Sequence, residues 1–159
     1  IDENYKVTPI NNKVSDDEEE TPPSGKLEYG KQIISCKASP HYGNSIPENM
    51  FDGDTNTDYG VGGYSAQIEL KFDKAYIIPS VKLIQLCSPS TSCEIEVFGY
   101  TDKECTNKVK VGEKNISVMQ ALVDTTNLVE IVKQEYYGLV INVSTPRSWT
   151  CIKEMEIKI

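Results

Sequence analysis

The chain has 159 residues, 38% of them hydrophobic and 25% charged, with a formal net charge of −8 and a pI near 4.7. That suffices for one domain of ordinary size with its own core, and no apolar run is long enough to span a bilayer. Nucleic acid is excluded for want of a basic face, and an anionic membrane surface would repel the chain.

In chain order, residues 1–26 come first and hold seven acids against three bases, including the run 15–20 followed by Thr21, Pro22, Pro23, Ser24 and Gly25. So few apolar groups beside a like-charge run cannot offset the entropy of ordering. The segment reads as an acidic, flexible tail or linker, with a folded domain over 27–159. Ile1, Tyr5, Val7 and Ile10 leave room for a short extended arm docked on that domain.

From about Gly30 the pattern is β. Residues 33–38 form a first strand, and a loop over 39–47 leads to Asn49, Met50, Phe51, Asp52, Gly53, Asp54, Thr55, Asn56, Thr57, Asp58 and Tyr59. This is a dense set of oxygen-bearing side chains between two aromatic anchors, with Gly53 where a tight turn favours positive φ. A second loop, over 58–65, carries three glycines and is too irregular for a strand. Residues 67–72 alternate, with Ile68, Leu70 and Phe72 on one face. Residues 76–86 make a longer β run in which Pro79 marks an edge or a bend. Ile95 and Val97 point inward from 93–98. Further strand candidates follow at 116–123 and 128–132, joined by a polar turn over 124–127. Residues 136–143 form a strong strand with Asn142 outward. In the last strand, 151–159, Met155, Ile157 and Ile159 share one face, and Glu154, Glu156 and Lys158 the other. No ten-residue window has the period of an amphipathic helix. Short strands between Gly, Pro, Asn and Asp turns predict an all-β sandwich.

The five cysteines at 36, 87, 93, 105 and 151 include no CxxC pair, and the single histidine, His41, is far from all of them in sequence. That spacing argues against zinc and for disulfides in an oxidising compartment, with one thiol left over. Two sequons, at Asn115 and Asn142, are compatible with secretion. Catalysis finds no footing. A lone loop histidine has no nucleophile motif beside it, and Asp52 and Asp54 share a turn rather than facing each other across a cleft.

The order of these pieces resembles the discoidin, or coagulation-factor type C, domains and the related galactose-binding-like carbohydrate modules. The turn over 49–59 carries the resemblance together with Gln67, Ile68, Glu69 and Leu70, then Val81, Lys82 and Leu83. Near the end it continues through Pro146, Arg147, Ser148 and Trp149, and Lys153 to Ile157. It spans roughly 33–159 and implies an eight-stranded antiparallel jelly-roll β-sandwich whose loops at one end form a binding face. It also implies a Cys36–Cys151 bridge between first and last strands. Cys87 and Cys93 flank a hairpin tip and would pair there, leaving Cys105 odd; a Cys93–Cys105 pair is the competing arrangement.

The resemblance further implies a structural calcium held by the Asn49 carbonyl, the Asp52 carboxylate, the Asp54 carbonyl, the Thr57 hydroxyl and carbonyl, and the Glu154 carboxylate. The alternative is that Asp52 and Asp54 only cap turn amides and Glu154 is a solvated strand residue. For the ligand face, His41, Tyr42, Asn44, Tyr59 and Tyr64 are the candidates, because aromatic rings with a polar rim suit a sugar ring. Tyrosines that simply pack the loops are the alternative there. Trp149 reads as core, with Arg147 a solvated or salt-bridged neighbour. Two functions stay open: a secreted or cell-surface adhesion module binding a glycan or glycoprotein, and a structural domain contacting another extracellular protein without any sugar site.

Overall fold

The computed structural model describes residues 25–159. Apart from Gly25 and Lys26, the expected tail and its docked arm lie outside them. Ordered structure begins at once: the Ile159 amide donates to the Gly25 carbonyl, and Lys26 bridges Lys158.

Nine strands follow among the described residues. They are β1 (Ile33–Ala38), β2 (Tyr59–Gly60), β3 (Ser65–Ile77), β4 (Ser80–Gln85), β5 (Thr91–Tyr100), β6 (Lys108–Met119), β7 (Thr125–Glu130), β8 (Glu135–Ser144) and β9 (Cys151–Ile157). β2 is only two residues long, which leaves eight principal strands. One antiparallel sheet has the order β2-β9-β4-β7 and the other β1-β3-β8-β5-β6. The two sheets face each other as the expected jelly-roll sandwich. The alternating residues meet between them: Ile68, Leu70, Ile95, Val97, Leu139 and Ile141 from one sheet, Val81, Leu83, Val129, Ile152 and Ile157 from the other, all fully buried.

Three element expectations need correction. The run 76–86 breaks at Pro79, which has no amide to donate to a ladder; Ile77 ends β3 and Ser80 starts β4. The candidate at 116–123 is the end of the longer β6, which starts at Lys108 and pairs along β5. In β9 the pairing with β4 shifts register between Ile152 and Glu154, so Ile152 and Met155 both reach the core. Glu154 keeps the outer parity of Glu156. It is nonetheless only 5% exposed, because the turn after the 3-10 segment Pro47–Phe51 lies over it.

Close sheet packing is visible at Gly138. A Cβ there would run into the Leu70 carbonyl oxygen and crowd the Tyr100 ring. Backbone in a paired strand cannot step aside, so Gly138→Ala should destabilise by about 2 kcal/mol or more in urea unfolding. Unchanged stability would mean that β3 and β8 separate freely.

The cysteine pairings are also corrected. All five cysteines are thiols, and neither Cys36–Cys151 nor Cys87–Cys93 is bridged. Four of the sulfurs meet other partners. The Cys151 thiol donates to Asp58 at 3.3 Å, and the Cys87 thiol to the Met119 and Gln120 carbonyls. Cys93 accepts from the Gln85 amide, and the Cys105 thiol faces the Tyr137 carbonyl. Cys36 sits on β1 in the five-stranded sheet, whereas Cys151 starts β9 in the other. Burial first, then Glu48, pushes Cys36 up to about 12; burial and Asp58 do the same to Cys151. Near neutral pH a thiol reagent should label these two slowly in the native protein and reach five thiols on unfolding. A count of one or three after unfolding would restore the bridges.

Candidate functional site

Loops 39–46, 61–64, 86–90, 120–124 and 145–150 gather at one end of the sandwich, where hydrogen bonds tie them into a single surface. The Tyr42 amide donates to the Gly60 carbonyl, the Thr145 amide to Tyr64, and the Thr150 amide to Gly63. The Ser88 amide donates to the Ser148 hydroxyl, and the Leu122 amide to the Cys87 carbonyl. In the last loop, between β8 and β9, exposure alternates. Arg147 and Trp149 are out, Ser148 and Thr150 in. The buried hydroxyls explain this. Thr145 Oγ1 lies 2.7 Å from both the Ser148 carbonyl and Thr150 Oγ1, which pins the loop from inside and leaves its two large side chains facing outward.

Trp149 is therefore not core. It is 49% exposed and packs against Tyr42, itself 61% exposed, with ring centroids 5.3 Å apart and planes tilted by 58°. This is the feature sequence reading missed, and the alternation of polar and large residues through 146–150 was the signal for it. Tyr59 departs from expectation in the opposite direction. It is fully buried, pairs through β2 with Ile152, and donates its hydroxyl to the Ser39 carbonyl at 2.6 Å. Its role is to hold the first loop rather than to meet a ligand. His41, Tyr42 and Asn44 are all exposed on that loop, and Tyr64 is exposed on the second. His41 and Tyr42 line a shallow pocket of about 400 Å³ with Ser39, Val61, Gly62 and Gly63. Asn44 turns its carbonyl toward Asn49 instead.

The predicted calcium residues converge away from this surface, on the flank of β9. Asn49 clamps the segment by donating its side-chain amide to the carbonyls of Asn44 and Asp58. Asp52 accepts from the Asp54 amide at 2.9 Å and from the Thr57 hydroxyl at 2.5 Å; the same hydroxyl lies 3.0 Å from the Asp54 carbonyl. One oxygen of Glu154 accepts from the Gly53 amide at 3.2 Å. The other, Oε2, is buried with no hydrogen-bond partner among the described residues. Burial, and after it the Asp52 carboxylate, pushes Glu154 up to about 7. Burial acts to raise Asp52 as well, but the Thr57 hydroxyl and the Asp54 amide hold it below its usual range. Among the described residues, no three His, Cys, Asp or Glu side chains come together. A cation here would rest on two carboxylates with carbonyl and hydroxyl oxygens, a donor set suited to a hard ion. The orphaned Glu154 oxygen fits such a group.

No protein family defined by sequence matches the chain, and no curated protein matches it significantly. Solved structures do. A CBM32 module from a family 31 glycoside hydrolase of Clostridium perfringens superimposes with a TM-score of 0.66 at 18% identity, covering 85% of this chain and 95% of that one. A chitosan-binding module from a Paenibacillus sp. IK-5 chitosanase/glucanase gives 0.64 at 14% identity, with 85% and 98% covered. The family 32 carbohydrate-binding module of Clostridium perfringens NanJ, solved with galactose, gives 0.61 at 13% identity, with 77% and 91% covered. In fold, this chain shares the two-sheet antiparallel β-sandwich architecture of these carbohydrate-binding modules.

Proposed function

We propose that the protein is a non-catalytic carbohydrate-binding module that takes its glycan on the loop end of the sandwich. The observation that carries this reading is the exposed Tyr42–Trp149 pair, set beside the His41 pocket on loops held in place by internal hydrogen bonds. Two large rings left in water are costly to a domain that does not use them, and a sugar presents C–H faces that cover them while its hydroxyls meet the polar rim. The preformed loops spare the ligand the entropy of ordering the site. Structural neighbours solved with galactose or with 4,5-unsaturated mannuronic acid support the same ligand class.

Calcium belongs to the proposal as a structural ion. Asp52, Asp54, Thr57, Glu154 and the Asn49 carbonyl would hold it, and it would supply positive charge to the orphaned Glu154 oxygen and fix the turn. A secreted or surface location goes with this reading for a cell-wall or matrix polysaccharide; the unbridged cysteines lend it no support. Glycan-array screening with and without calcium tests the function. Hits that vanish in Trp149→Ala support it. The absence of any glycan hit would favour a protein-contacting structural domain.

A further inference from the structure

The loop between β8 and β9 sends its two exposed large side chains to different neighbours. Trp149 packs on Tyr42, whereas Arg147 faces a separate surface pocket of about 540 Å³, lined with Ser90, Ser92, Ser117, Val118 and Ala121 among others. Arg147 is the chain's single arginine, in a protein of net charge −8. It is the one charged residue among those lining the pocket. Its guanidinium makes no ion pair or hydrogen bond with any described residue, while its backbone is fixed: the Arg147 amide donates to the hydroxyl of buried Thr91 at 3.1 Å. Ser90 is held too, its oxygen accepting from the Ala121 amide, which leaves the hydroxyl proton free to donate outward.

An unpaired guanidinium on a fixed backbone, in a pocket free of acids and rimmed with hydroxyls, is built for an oxyanion. Its planar fork matches a carboxylate or sulfate through two parallel hydrogen bonds, and serine hydroxyls can donate to the remaining lone pairs. We propose that this pocket is an oxyanion subsite: Arg147 reads a carboxylate or sulfate on the sugar next to the one stacked at Tyr42 and Trp149, so the ligand is an acidic polysaccharide. The inference rests on the loop end being a glycan site. The Cα atoms of Arg147 and Trp149 lie no more than roughly 7 Å apart along the chain, so both can serve neighbouring units of one glycan. The acid-free pocket then acts as local relief from the repulsion that the net charge imposes on any anionic ligand.

The test measures affinity of the full chain, by calorimetry, for a matched series: a neutral galactan, polygalacturonate and a sulfated galactan. Wild type should prefer one acidic polymer, and which one identifies the oxyanion as carboxylate or sulfate. Arg147→Gln should weaken that polymer by about tenfold or more and leave the neutral one within about twofold, with Arg147→Lys in between. Trp149→Ala should weaken both. Melting temperature checks that each variant is folded. If the neutral polymer binds wild type as well as the acidic ones, or if Arg147→Gln affects all polymers alike or none, the oxyanion subsite is wrong and the glycan reading stands. If no polymer of the series binds, the oxyanion subsite is wrong, and a blank glycan array besides would overturn the glycan reading too.

Discussion

Trp149→Ala should weaken glycan binding by about 2 kcal/mol, roughly thirtyfold, while barely moving the melting temperature. Half of the indole is already in water and its packing partner, Tyr42, is more exposed still, so truncation removes contact with ligand rather than core. Tyr42→Ala should follow the same pattern to a smaller degree. Tyr59→Ala should do the reverse. That ring is fully buried and anchors the Ser39 carbonyl, so its loss should cost about 3–5 kcal/mol of stability, with affinity falling only as the loops loosen. Calorimetric titration alongside chemical denaturation separates the two classes. Unchanged affinity in Trp149→Ala would move the binding surface away from this end.

On the calcium reading, saturating calcium should raise the melting temperature by roughly 5–10 °C. Binding at a hundredfold excess over Kd adds about 2.7 kcal/mol, and a domain of this size moves roughly 2–4 °C per kcal/mol. Glu154→Gln should abolish the shift without harming the calcium-free protein. It removes the carboxylate whose Oε2 is buried without a partner, and an amide there has no charge to desolvate. Asp52→Ala should also abolish the shift, with some loss of basal stability, since the Asp54 amide and Thr57 hydroxyl lose their acceptor. A calcium shift that persists in both variants would place the ion elsewhere.

Much of the sandwich was legible because a half-buried strand writes its face into every second residue. Ile68, Leu70 and Phe72 on β3, and Met155 and Ile157 on β9, behave as the alternation predicts. β6 was legible only at its end. Lys108, Val109, Lys110 and Val111 do alternate, but only Val111 of them is buried, and the run from Gly112 to Asn115 has no apolar residue to continue the pattern along this solvent-reached edge strand. The resemblance set Glu154 beside the turn over 49–59, where it lies, whereas the strand pattern alone would have left it solvated. Alternation assigns its side of the sheet correctly, but it cannot report that a turn a hundred residues earlier folds over that side. Tyr59 and Trp149 exchanged roles because burial of an aromatic in a loop depends on which strand it meets. A two-residue pairing with β9 draws Tyr59 inside, whereas the inward hydroxyls of Thr145, Ser148 and Thr150 occupy the space that Trp149 would need.

The position of β9 sets the order in which this domain can be built. It lies between β2 and β4 in the four-stranded sheet, and its Glu154 meets the turn that follows Phe51. Of the nine strands, it is the last to leave the ribosome. Until it does, β2 has no neighbour and β4 is paired on one edge only, so the apolar face formed by Ile68, Leu70, Leu139 and Ile141 lacks much of its cover. A nascent chain in that state exposes its future core and an open strand edge together, the combination that recruits chaperones and promotes misassembly. Closure of the sandwich therefore waits for β9, and the sheet ordering predicts slow folding dominated by contacts between distant parts of the chain.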